Sequence, residues 1–539
     1  MKNILQKYKV DYRFILMIAL VLCLFFISSV YLKILFKHTL FELDNYSLYS
    51  SIFSTKFGMA AIIFSLSILS LYKRITWEQF QSKDFRFFTF FIVLILAWKY
   101  GFYEYNYYLD SFHLFDRILL VAVAIVVYFN PLFLPLFILL AITIAAQLNF
   151  PLGLYSFTDE KPLWDTLILV SIFMFAKVIY KDLKTKHLIM LILSMHAANY
   201  FYPGFAKIYI SPNGYEWTLF HDLHYFIINT HHRGWLNFLT EEQVFTFAEF
   251  IKNFNLLSNI GTMILQLGAI FILFNKRLAI WLLIGFELLH IGVYLATGIF
   301  FWKWILLNLA IIWLVKRLDN DSNEYLFNIK STKYFVLIIV LLSPLYFKPV
   351  WLAWFNTKLN NNYYFTIETK KGGDKYNMAY SDFSPYHKFF AFERYHQINK
   401  DEKFLNINGS VPINKDIYKN LNMESNTWYL KKYLDGLKKE DVLNAIEEKG
   451  ESIYDEEYSK KFDDFILIYF KNLNNYIEKN GNRNNHIFLP FSHIHADAKN
   501  RFDFNKPIKK VTLRYEVKFF DDEGIYTLKS KKIKEYAIK

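Results

Sequence analysis

The stretch HLIMLILSMHAANYFYPGFAK, residues 187–207, carries an apolar run long enough to cross most of a bilayer and ends in a lysine. Apolar runs that approach or exceed the ~30 Å needed to cross hydrocarbon recur along the first two-thirds of the chain. They predict about eleven spans: residues 14–32, 52–72, 87–104, 112–129, 132–149, 164–180, 187–205, 255–274, 278–298, 300–315 and 334–354. The fold class expected is an all-α polytopic membrane bundle over 1–354, followed by a soluble α+β domain over 355–539.

Composition agrees with this class. The 539 residues are 54% hydrophobic and 20% aromatic, and the mean hydropathy of +0.18 is high for a water-soluble chain of this length. The formal charge of +13 comes from lysines and arginines spread over short loops and the tail. They form no basic stripe, which argues against nucleic-acid binding. Cys23 is the only cysteine and lies in the first apolar run, so an internal disulfide is excluded. That run follows Lys2, Lys7, Lys9 and Arg13 and reads as a retained span rather than a cleaved leader.

Basic residues fall in alternate loops, at Lys73 and Arg74, Lys83 and Arg86, Lys181 to Lys186, Lys276 and Arg277, and Lys316 and Arg317. By the positive-inside rule these loops and the N-terminus are cytoplasmic, and the connection 206–254 and the tail lie outside. Richness in lysine, asparagine, isoleucine and phenylalanine fits a low-GC bacterial coding sequence, hence a bacterial cytoplasmic (inner) membrane. In the tail, Tyr363 to Thr369 and Val511 to Phe519 read as strands, and Thr427 to Ile446 and Tyr458 to Ile477 as helices.

Chemistry concentrates just after the seventh span. Pro203 and Gly204 are expected to end or kink the helix and leave Lys207 in a pocket. There a desolvated amine serves as base or nucleophile, whereas an amine free to reach headgroups merely snorkels. Trp217 follows, then His221, His224, His231 and His232, expected as pocket lining. His221 and His224 at i, i+3 would share a helix face and offer a metal two imidazoles, but no complete ligand set follows and no metal is assigned. Glu287 and His290, also i, i+3, lie inside the ninth span and are expected to floor the same pocket. Asp165 and Lys303, near the outer side, are candidates to join it, and His493-x-His495-x-Asp497 reads as a solvated loop.

The run Tyr200-Phe201-Tyr202-Pro203-Gly204-Phe205-Ala206-Lys207-Ile208, with Trp217 beyond it, resembles the Tyr-Phe-x-x-Gly-x-x-Lys-Leu segment of vitamin K-dependent γ-glutamyl carboxylases. These belong to the horizontally transferred transmembrane (HTTM) family. The helical pair from Asn255 through Lys276 and Arg277 to Glu287, His290 and Trp304 looks like the same pattern. The resemblance covers roughly 190–315. It implies a carboxylase, a lyase whose motif lysine deprotonates a reduced quinone of the vitamin K or menaquinol type. The matching position is Lys207. The oxygenated quinol would then take a γ-proton from a glutamate of a secreted peptide, and carbon dioxide would trap the carbanion. Where the carboxylases place an Asn-His pair ahead of the sixth span, this chain reads Phe157-Thr158-Asp159-Glu160-Lys161. Other family members resemble maturation factors for secreted peptides, so a non-catalytic membrane chaperone is the alternative, and a metal-dependent membrane oxidoreductase a third reading. Expected partners are membrane lipid and a secreted peptide or protein.

Overall fold

The computed structural model describes residues 12–37, 83–102, 114–147, 152, and 160–539 apart from 371, 384–393, 408, 410, 413–415, 425 and 484–489. The expected span 52–72 lies outside the described residues. Helices are numbered among those described.

The bundle comprises α1 (Tyr12–Lys37), α2 (Lys83–Phe102), α3 (Leu114–Phe129), α4 (Leu134–Gln147), α5 (Lys161–Ile179) and α6 (Thr185–Tyr209). It continues with α7 (Glu216–Phe220), α8 (Leu223–His231), α9 (Glu241–Lys252), α10 (Asn255–Gly268), α11 (Lys276–Thr297), α12 (Trp302–Lys316), α13 (Asn320–Asn323) and α14 (Lys330–Leu342). Four of these, α1, α2, α5 and α11, are long and apolar enough to cross a membrane. The number rises to six if two bent pairs each count as one span: α9 with α10, bent by 63°, and 320–328 with 330–345, bent by 66°. Among the other described helices, α3, α4 and α12 have only 16, 14 and 15 residues, and α6, though 25 residues long, is not among the four.

Local sequence sets the helix ends. The Thr240 hydroxyl accepts from the Gln243 N–H while the Gln243 side chain accepts from the Thr240 N–H, a reciprocal cap that starts α9. Asn275 caps α11, and Gly298 ends it at φ +71, a conformation that costs a Cβ-bearing residue energy. Helix α6 occupies the centre, every residue from His187 to Tyr200 is buried, and it packs against α5, α10 and α14. Leu257, Ile264, Trp281, Leu288 and Leu295 on α10 and α11 are largely exposed. Large apolar residues in such number on two neighbouring helices fit a lipid-facing surface.

The tail builds a four-stranded antiparallel sheet in the order β2-β1-β5-β6 from β1 (Leu359–Thr369), β2 (Lys375–Met378), β5 (Ile508–Phe520) and β6 (Ile525–Ala537). A separate small hairpin pairs β3 (Asn406–Ile407) with β4 (Val411–Pro412). The helices α15 (Asp416–Asn420), α16 (Thr427–Asp435), α17 (Lys439–Lys449) and α18 (Glu456–Asn480) complete the tail. The expected helix 427–446 is two helices, because Gly436 caps the end of the first.

Candidate functional site

Helix α6 runs unbroken through Pro203 and Gly204 instead of ending there. A Cβ on Gly204 would stand 2.9 Å from the Gln266 Cβ of α10, so the two helices meet at van der Waals distance here. Lys207 therefore sits in the last turn of α6, just past the apolar run that closes at Phe205, and is 8% exposed. Its ammonium nitrogen donates to the carbonyls of Pro203 at 3.2 Å and Leu352 at 3.3 Å. It also stands 4.9 Å from the centre of the Trp217 ring. Burial alone lowers its pKa to about 7, since water is removed and no carboxylate replaces it.

Trp217 is fixed from three directions. Its indole N–H donates to the Trp354 carbonyl at 3.0 Å, its backbone N–H donates to Ser211, and its ring stacks on His221 with centroids 4.5 Å apart. The Ser211 hydroxyl in turn donates to the Lys207 carbonyl at 2.8 Å, tying the lysine's helix end to the tryptophan's. His221 is buried by this packing, and its Nδ1 has no hydrogen-bond partner. Burial, then Lys207, holds its pKa down at about 3. Phe355, Met263 and Trp428 close the pocket, and Gln266, a turn below Met263 on the same buried face of α10, has an unpartnered side-chain oxygen.

The other expected residues disperse. The chain is extended at His221 and Asp222 between α7 and α8, so His221 and His224 share no helix face. His224 instead meets Asn255 at 2.8 Å and Asp222 at 3.8 Å, and burial lowers its pKa to about 4 despite that carboxylate. His231 contacts the Trp235 carbonyl at 3.0 Å. His232 pairs with Asn360 of β1 at 2.9 Å, and its carbonyl accepts from Asn362 at 2.6 Å, so His232 fastens the tail to the bundle. Burial lowers the pKa values of both His231 and His232. Among the described residues no three His, Cys, Asp or Glu side chains gather as a metal site.

Glu287 and His290 lie with a different group. Tyr200 stacks on Phe286 at 3.7 Å and sits 5.7 Å from the His290 ring, while Asn308 links the Tyr200 hydroxyl to His196 at 3.0 and 2.5 Å. Tyr200 precedes Lys207 by seven residues on α6, about 10 Å deeper by helix rise. This polar group is thus a second layer below the lysine, not the floor of its pocket. Asp165 and Lys303 do not join the lysine either. Asp165 pairs with Lys161, and Lys303 meets the buried Glu160 at 2.8 Å together with Lys99 and Tyr100.

The segment 493–497 is not a solvated loop. Phe300 donates to the His493 carbonyl, His495 to the Gly298 carbonyl and Asp497 to the Gly234 carbonyl, each at 2.8 to 2.9 Å. Both glycines have positive φ, and a Cβ on Gly234 would fall 1.9 Å from the Asp497 oxygen.

No family model, curated protein or solved structure matches the chain. Phe355 and Trp428, which wall the lysine's pocket, carry no sequence signal linking them to it, since only the fold brings them within reach. Gln266 has a weak one, as a lone amide in an apolar run.

Proposed function

We propose that this chain is an integral membrane enzyme in which Lys207 acts as general base toward the hydroxyl of an amphipathic weak acid, a reduced quinone of the vitamin K or menaquinol type. The observation that carries the reading is the buried amine itself, held against two carbonyls and an indole face with a pKa of about 7. A base of this pKa is about half free near neutral pH, where an exposed lysine is almost wholly protonated. Trp217 and His221 supply a flat wall for a ring, and the unpartnered His221 Nδ1 supplies a hydrogen-bonding point beside it.

The rest of the reading extends this. The apolar runs form eleven spans with a cytoplasmic N-terminus, and the lysine's pocket and tail face outward. A deprotonated quinol would react with molecular oxygen, and the strongly basic alkoxide so formed would take a γ-proton from a glutamate of a secreted peptide, whose carbanion would add carbon dioxide, as the resemblance to γ-glutamyl carboxylases implies. Purified Lys207→Ala protein keeps its fold and loses quinol oxidation, and kcat/KM of the wild type rises with pH through an apparent pKa near 7. Unchanged turnover in the variant rejects the base. In cells, secreted peptides made beside the intact gene gain about 44 Da on glutamate if the trapped carbanion is the product.

The alternative, a non-catalytic maturation factor whose tail captures a client, draws support from the polar joint between β1 and α8. It predicts client binding that survives Lys207→Ala.

A further inference from the structure

Helix α16 of the tail packs against the apolar group that holds Trp217, and two unlike contacts one turn apart fix it there. At its first turn Trp428 packs against Phe355, with ring centroids 5.1 Å apart, and against Phe220, at 5.4 Å. Phe355 belongs to the same buried group as Trp217, so Trp428 forms the outermost wall in front of the stacked Trp217 and His221. One turn on, Lys431 is 5% exposed and reaches Asp222 of the bundle at 2.7 Å. It also pairs with Asp435 of its own helix. Asp222 is the residue directly after His221, and Tyr225 of α8 reaches Asp435, so the catch grips the segment that carries the pocket's histidine.

We infer that α16 is the gate of the Lys207 pocket, with Trp428 as its leaf and the Lys431 bridge between Asp222 and Asp435 as its catch. An apolar wedge alone would slide, and an ion pair alone would leave the pocket wet. Lys431 is buried while the Asp222 and Asp435 side chains keep 22% and 24% exposure, so losing Asp222 leaves Lys431 held by its own helix alone. The arrangement therefore has two well-defined positions. In the closed one Lys207 is shielded, and in the open one both Trp428 and Lys431 leave together, since they share one short helix. Nothing in this inference depends on Lys207 being a base, only on its place behind α16.

The test reads access to Lys207 directly. Full-length protein in lipid nanodiscs is pulsed with acetic anhydride, and acetylation of Lys207 is followed by peptide mass spectrometry. Asp222→Asn and Lys431→Met are each expected to acetylate Lys207 about tenfold faster or more than wild type, because each removes the ion pair that ties α16 to the bundle, while Lys431→Arg stays near the wild-type rate. In a Cys23→Ser background, Asp222→Cys and Lys431→Cys joined by a short reducible thiol cross-linker, which leaves Trp428 in place, are expected to label roughly tenfold more slowly when linked than when reduced, the link replacing the catch. Equal labelling in the linked and reduced forms overturns the gate, even where the charge variants do not fold. Equal labelling in wild type and folded Asp222→Asn removes the catch.

Discussion

Lys207 is unusual less for being buried than for what surrounds it, two carbonyls and an indole with no counter-charge among the described residues. Its folded pKa of about 7 lies below the ordinary lysine value of 10.5, so between those limits the unfolded chain binds more protons than the folded one. Stability then rises with pH across this window, and below about 7 the site carries its full cost. Lys207→Met is expected to raise the thermal midpoint in detergent at pH 6 and to lose that advantage by pH 10. An advantage that persists unchanged at pH 10 would show that packing rather than charge is responsible. The histidines work in the same direction at lower pH. His221 and His224, held at about 3 and 4, are neutral in the fold and charged in the unfolded chain between those values and about 6.5. Their contribution is complete above about pH 6.5 and is lost as pH falls toward 3. The midpoint should therefore drop between pH 7 and pH 5, and drop less in His221→Gln. At this scale Lys207, Trp217 and His221 were legible because they share one segment, whereas Phe355 and Trp428 were not, because no local pattern reports a partner brought in by tertiary packing.

Among the elements, apolar period and caps announced the helices, and the errors have local causes. A proline was expected to break α6, but the helix runs on through it, packed against α10 at Gly204. A glycine splits the predicted helix 427–446, and an extended pair of residues separates His221 from His224. Strand β6 escaped notice because four lysines interrupt its apolar residues, as suits the edge of a sheet. Gly204→Leu forces the α6 and α10 backbones apart, and overpacking of this kind costs roughly 1–3 kcal/mol. A lowered thermal midpoint together with faster Lys207 labelling is the expected outcome, and an unshifted midpoint contradicts the close helix contact. Gly234→Ala places a Cβ into the Asp497 carbonyl at a φ of +101. The backbone strain alone is worth about 1–3 kcal/mol. Limited proteolysis should then cut within 490–501 while α6 remains protected.

For the molecule as a whole, bundle and tail share one apolar core cluster as well as the polar joint at Asn229, His232, Asn360 and Asn362. A chain ending at Trp354 would lose Phe355, Trp428 and every one of those partners, so the bundle should not survive extraction as a monodisperse species. Size-exclusion chromatography of the truncated protein decides this, and a sharp, heat-stable peak would show that the bundle stands without its tail. The change in composition after about residue 355 was readable, but the mutual dependence was not, since an asparagine-rich strand start such as 360–362 looks like loop until its partners are known.

The strip of backbone hydrogen bonds at Gly234 and Gly298 carries a consequence for biogenesis. Those glycines leave the ribosome long before the residues that complete them, and the indole of Trp302 waits for a carbonyl 189 positions later. During synthesis this rim of the bundle is therefore left with open hydrogen-bonding edges until the last tenth of the chain has been made. A membrane quality-control protease would meet those edges first, so premature termination near the C-terminus should shorten the lifetime of the whole protein.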